Sequence, residues 1–97
     1  MRFEFSAPLW EWTSQANWFF VTVPEEISAD IREIPRPPRG FGSVRVRVAV
    51  GGSTWSTSVF PDSNVGCYVL PVKKAVRVAE GLVEGGDVRV SLTVLDL

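Results

Sequence analysis

The sequence predicts one mainly β domain of 97 residues that contains two short helices and closes its strands into a barrel. Three observations support this prediction: apolar and polar residues alternate in several segments, two short helical patterns each follow a proline, and the order of these elements repeats. The alternation is clearest over residues 44–50, Val-Arg-Val-Arg-Val-Ala-Val, which is typical of a strand with one buried face.

The other strands follow from the same period of two and from the density of β-forming side chains. The predicted strands cover residues 2–12, 18–23, 44–50, 54–60, 67–70 and 87–95. Gly51 and Gly52 predict a hairpin turn between the third and fourth strands. Residues 13–17 are predicted to form a turn, and residues 61–64 a loop.

Each predicted helix begins next to a proline. Pro24 starts the first helix and Pro35 ends it, because a residue before proline disfavours the helical conformation. The second helix follows Pro71, and residues 36–42 form an irregular connector. The predicted apolar stripes are Ile27, Ile31 and Ile34 in the first helix, and Val72, Ala75, Val76 and Ala79 in the second.

Residues 18–50 and residues 65–95 repeat the order strand, proline, helix, glycine, strand. We interpret this as an internal repeat, whose halves face each other across a pseudo-twofold axis within one monomer. Each half then covers the apolar face of the other, and six strands closing into a barrel leave no exposed sheet edge. Chance similarity between short amphipathic strands is the alternative interpretation.

Composition argues against several classes of function. The net charge is −1, whereas a strong non-specific nucleic-acid binder is normally basic. The chain has no histidine and one cysteine, Cys67, so we expect no metal site, no cofactor and no enzymatic activity. We interpret Cys67 as a buried, inert thiol.

The sequence resembles neither a signal peptide nor a membrane span, and the expected location is cytoplasmic.

Two groups of side chains are candidates for a binding surface. The basic candidates are Lys73, Lys74, Arg77, Arg39, Arg45 and Arg47, which can hold phosphate groups or an acidic partner. An ordinary solvated surface is the alternative interpretation of these side chains. We expect most of the four tryptophans to fill the barrel, with Trp12 and Trp55 as candidates to line a groove.

The chain resembles a bacterial family of small domains of unknown function, found alone or fused to bacteriocin-protection-type domains. Residues 68–77, Tyr-Val-Leu-Pro-Val-Lys-Lys-Ala-Val-Arg, and residues 86–90, Gly-Asp-Val-Arg-Val, carry the resemblance most specifically. It implies a double-split β-barrel, the fold of the AbrB-type swapped-hairpin transcription factors. Val78 stands where the family is expected to have a basic residue, which weakens the case for an extended basic helix face.

The leading hypothesis is a non-enzymatic binding or interaction domain that uses its second helix. Nucleic acid, through the resemblance to the swapped-hairpin regulators, and protein are alternative partners, because a fold alone does not define a function. A small-molecule-binding domain, or an accessory domain to an enzyme, is the alternative hypothesis. The first helix begins with Glu25 and Glu26 and the second with Lys73 and Lys74. We therefore expect any functional surface on the Lys73 side.

Overall fold

The computed structural model describes residues 1–35 and 42–95 of the chain. Within these ranges the backbone forms six strands and two α-helices, which confirms the predicted mainly β domain with two short helices. In chain order they are β1 (Arg2–Glu11), β2 (Phe19–Thr22), α1 (Glu25–Glu33), β3 (Val44–Val50), β4 (Ser53–Asp62), β5 (Cys67–Pro71), α2 (Lys74–Ala79) and β6 (Asp87–Val94).

The strands form a closed barrel in the order β1-β2-β5-β4-β3-β6, and every neighbouring pair is antiparallel. The two longest strands, β1 and β4, each change partner along their length. Strand β1 pairs with β6 over residues 2–8 and with β2 over residues 9–11. Strand β4 pairs with β3 over residues 53–59 and with β5 over residues 60–62. The predicted barrel is confirmed, whereas the internal repeat stays a prediction.

Branched aliphatic side chains fill the interior of the barrel. Alternate residues of β3 and β6 are buried, as predicted: Val44, Val46, Val48, Val50, Val88, Val90, Leu92 and Val94. Leu9, Val21, Val59 and Leu70 add to this core from the other four strands. Since an eight-stranded barrel is just wide enough to be filled by side chains, a six-stranded barrel is narrower still. Compact valine and leucine side chains suit this interior.

The expectation that most tryptophans fill the barrel is wrong. All four lie in the described ranges, and none is buried. Trp55 is half-buried and packs against the margin of the core. Trp12 and Trp18 are 41% and 48% exposed. The interior is therefore filled by aliphatic side chains, with the Trp55 ring only at its margin.

Helix α1 is tied to the barrel by one buried hydroxyl group. The Ser28 hydroxyl donates a hydrogen bond of 3.0 Å to the Val23 carbonyl oxygen and accepts one of 3.0 Å from the Tyr68 backbone N–H. Ile31 and Ile34 are buried and Ile27 is half-buried, so the predicted apolar stripe of this helix is confirmed.

Helix α2 differs from its prediction. Val72 and Val76 are buried, but Ala75 and Ala79 are exposed, so half of the predicted stripe is wrong. The helix has only six residues, which is too short for a stripe of two full turns to reach the barrel.

The loop after β4 and the connector after α1 differ in how far they can be compared with the prediction. Strand β4 continues to Asp62, so the turn begins two residues after the predicted start of the loop. Except for Gly42, the predicted connector lies outside the described residues. Cys67 is buried and free, as predicted.

Candidate ligand-binding groove

A groove opens where β4 and β5 diverge. These two strands pair only over Phe60–Asp62 and residues 67–69, after which β4 follows β3 and β5 follows β2. Trp55, Ser56 and Thr57 line the groove on the β4 side, and Pro71 and Val72 line it on the β5 side. The groove has a volume of about 1170 Å³, somewhat above the range of about 300–1,000 Å³ that is usual for small-molecule sites.

Aromatic side chains stand on one outward face of β1 and β2. Trp10 pairs with Phe20, so their side chains lie on the same face, opposite to the buried Leu9 and Val21. The backbone N–H of Trp12 donates a hydrogen bond of 2.8 Å to the Trp18 carbonyl oxygen, which continues the pairing beyond the strand ends. The two exposed tryptophans are therefore direct cross-strand neighbours on this face.

The four rings form one contiguous cluster. The ring centroids of Trp10 and Phe20 are 5.1 Å apart in a stacked arrangement, and those of Trp12 and Trp18 are 5.7 Å apart. Phe20 also contacts Trp12 and Trp18, at 6.3 and 6.4 Å. The indole N–H of Trp10 donates to the Thr22 hydroxyl at 2.9 Å, which fixes the orientation of that ring. Such ring contacts hold the four side chains together as one apolar surface.

Three basic side chains line the same groove: Lys73, Lys74 and Arg77. The Val72 N–H donates to the Phe19 carbonyl oxygen at 2.9 Å, which continues the register of β2 and β5 by one residue. Lys73 follows Val72 directly in the chain and lines the groove together with Trp18. The cationic margin of the groove therefore adjoins its aromatic surface.

Arg77 is held by the protein itself. Its guanidinium donates to the Val72 carbonyl oxygen at 2.8 Å and lies over the Phe19 ring, 4.2 Å from the centroid. Lys73 and Lys74 differ from Arg77 in this respect, because within the described residues neither ammonium group has a hydrogen-bond or ion-pair partner. Their charges are thus available to a ligand, while Arg77 fixes the start of α2 against β2.

The groove brings together five of the eight predicted site residues: Lys73, Lys74, Arg77, Trp12 and Trp55. Arg45 and Arg47 lie on β3 and do not line the groove, and Arg39 lies outside the described residues. Whether any of the eight binds a ligand stays a prediction.

We call this site the aromatic groove; it consists of the aromatic side chains that line it and of a basic margin, Lys73, Lys74 and Arg77. Several of its residues were not predicted from the sequence. The missed aromatic residues are Trp10, Trp18, Phe19, Phe20 and Phe60. The signal was present in β1, because Leu9 belongs to the buried set and Trp10 therefore faces outward. The alternation in β2 gives the same result for Phe20, next to the buried Val21.

The α1 side of the molecule has a smaller and acidic cavity. This cavity, of about 570 Å³, is lined by Met1, Asp30, Glu33, Ile34 and Pro35. The aromatic groove instead has three cations and one carboxylate, Asp62, among its described lining residues. The described linings of the two cavities therefore differ in charge, and the positive one contains Lys73.

Residues 1–35 and 42–95 contain no group of three or more metal-ligating side chains that could hold an ion. In the same part of the chain, neither helix has the length and apolar character that a membrane-spanning helix requires.

Fold and groove together define a class: a small β-barrel domain with two short helices and one aromatic surface groove. The family described as "Domain of unknown function (DUF1905)" matches residues 5–92, which is nearly the whole chain. The protein belongs to this family. No curated protein matches the sequence.

Proposed function

We propose that this domain is a non-enzymatic ligand-binding module, and that the aromatic groove takes a small molecule with a flat, apolar body. One observation carries the proposal. Among the described residues, the three most exposed aromatic side chains, Trp12, Trp18 and Phe60, all line this groove. Apolar side chains scattered singly over a monomer's surface are ordinary, but grouped as one patch in a concavity they are typical of a binding site.

The shape of the groove supports a flat ligand. Cross-strand aromatic pairs present ring faces and edges on which a planar molecule can stack. The floor is closed by Val69, which faces the groove yet is only 8% exposed. A flat apolar molecule would remove water from this surface with little rearrangement of the barrel, because the rings already contact one another.

A titration with phenylnaphthylamine, an uncharged dye that fluoresces in apolar sites, tests the proposal. We expect saturable binding of one dye per chain, accompanied by quenching of tryptophan emission. Replacing both exposed tryptophans, Trp12→Ala with Trp18→Ala, should weaken binding about tenfold, since each aromatic contact contributes about 0.5–1.5 kcal/mol beyond its buried area.

The matched control is Val78→Ala, which removes an exposed apolar side chain that does not line the groove. It should leave the dye affinity unchanged, and circular dichroism should show that all variants are folded. Absence of saturable binding, or equal affinity in the double tryptophan variant, would contradict the proposal.

Single-stranded nucleic acid is a second candidate ligand, and one observation favours it. Exposed aromatic rings beside lysines are the usual means of holding stacked bases and their phosphates. The resemblance to swapped-hairpin regulators points in the same direction. The chain's net charge of −1 opposes binding of a long polyanion. Retention of labelled oligothymidylate at low salt, lost as salt rises, is the result expected of this candidate; no retention excludes it.

A further inference from the structure

We infer that the ligand of the aromatic groove is an anion, with its planar ring on the Trp12 and Trp18 side and its negative group at Lys73 and Lys74. This inference rests on the proposed function and adds the charge and the orientation of the ligand. The shared chemistry is an aromatic ring with one attached anionic group, of which aryl carboxylates and aromatic mononucleotides are two sources.

Charge complementarity is the first argument. The chain as a whole has ten basic and eleven acidic residues, yet the described residues that line the groove include three bases and one acid. The described lining of the groove therefore carries a local excess of positive charge. A concave site with low-dielectric aromatic walls concentrates such a field and favours a ligand of the opposite sign.

The division of roles among the three cations is the second argument. Arg77 is already occupied by the Val72 carbonyl oxygen and the Phe19 ring. Lys73 and Lys74 are both exposed and have no partner within the described residues. An ammonium group has three donors on a flexible stem, so it can follow an anion over several positions of the ligand.

The register supplies the orientation. Trp12 and Trp18 are cross-strand neighbours, and Lys73 follows Val72, whose N–H bonds to the residue next to Trp18 in the chain. All three side chains line the groove. A ring stacked on the two tryptophans thus has a cation next to it on the β5 side. An anionic ligand bound in the reverse orientation would place its negative group against the indole rings and leave both lysines unpaired.

A matched pair of dyes tests this inference. Anilinonaphthalene sulfonate has the same rings as phenylnaphthylamine and one added sulfonate. We expect the sulfonate to bind about fivefold more tightly, the size typical of an exposed ion pair. The preference should shrink as salt rises, because exposed charges are screened. In Lys73→Gln with Lys74→Gln, the two dyes should bind with equal affinity.

The control is Arg89→Gln, which removes an exposed cation of β6 outside the groove. It should keep the preference for the sulfonate. Displacement of the dye by indoleacetate but not tryptamine would identify carboxylates as ligands, and displacement by adenosine monophosphate but not adenosine would identify phosphates.

The outcomes separate the two proposals. If neither dye binds, the ligand-binding function itself fails. If both dyes bind equally well, or if the preference survives in the double lysine variant, the groove binds ligands but the inference about the anion is wrong. The inference is also overturned if neither natural anion displaces the dye better than its uncharged or cationic counterpart.

Discussion

The Glu80 carboxylate accepts a hydrogen bond of 2.6 Å from the Ser53 hydroxyl and one of 3.3 Å from the Gly52 N–H. This contact joins the end of α2 to the turn between β3 and β4. It therefore anchors the helix whose first residues line the aromatic groove. Its loss should affect stability and the position of the helix together.

Replacing Glu80 by alanine should lower the free energy of unfolding by about 1 kcal/mol, because a hydrogen-bonded carboxylate at a half-exposed site is lost. Urea-induced unfolding measures this change. Glu84→Ala is the matched control, since Glu84 is an exposed acid in the turn that follows α2. Equal stability of the two variants would show that the Glu80 contact contributes nothing.

Gly51 allows the same contact by having no side chain. Its φ is +57°, and a Cβ atom there would clash with the Glu80 Oε1 atom. Gly51→Ala should cost about 2–3 kcal/mol, partly from the left-handed backbone and partly from displacement of the Glu80 side chain.

A double variant separates these two parts. In the Glu80→Ala background, Gly51→Ala should cost about 1 kcal/mol less than in the natural chain, because no carboxylate remains to be displaced. Additive effects of the two substitutions, measured by the same urea unfolding, would contradict this explanation.

The Ser28 hydroxyl should be more important for stability than its size indicates. Ser28→Ala leaves the buried Tyr68 N–H without its acceptor and removes the bond to the Val23 carbonyl oxygen. The expected cost is about 1–3 kcal/mol, since an unsatisfied buried donor loses its hydration without compensation. Ser6→Ala, at an exposed position of β1, should change thermal stability little. A similar melting temperature for both variants would argue against the bridging role.

Arg77 and Lys73 should respond differently to substitution. Arg77→Lys should lower stability by about 1 kcal/mol, because an ammonium group cannot both stack over the Phe19 ring and keep the geometry of the bond to Val72. Lys73→Gln should leave stability unchanged and alter only ligand affinity. Calorimetric unfolding with a dye titration on each variant measures both effects, and a stability loss of equal size in the two would contradict the division of roles.

Most of the fold could be predicted from the sequence, because the barrel is built from strands with one buried face. The alternation in β3 and β6 identified their eight buried residues correctly. The extent of helix α2 was harder to predict, because the apolar pattern covers more residues than the six that form the helix. The ends of a short helix depend on where the flanking strands end. A local pattern of apolar residues does not contain that information.

The candidate site could be predicted only in part. Lys73, Lys74 and Arg77 were found because they follow one another on a helix pattern. Apart from Trp12, the aromatic cluster was missed, because most indole rings were assigned to the core by their apolar character alone. Their position depends on the pairing of β2 with both β1 and β5, which brings Trp12, Trp18 and Lys73 to one groove. Such long-range pairing is a property of the topology.

The most direct test of the account is a nuclear magnetic resonance titration of the nitrogen-labelled chain with anilinonaphthalene sulfonate. The four indole N–H signals and the backbone amides report binding at known positions. We predict large shifts for the indoles of Trp12 and Trp18 and for the Lys73 amide, with the Arg89 amide unchanged. Shifts confined to the outer faces of β3 and β6, with those two indoles unmoved, would contradict the central claim that the aromatic groove is the binding site.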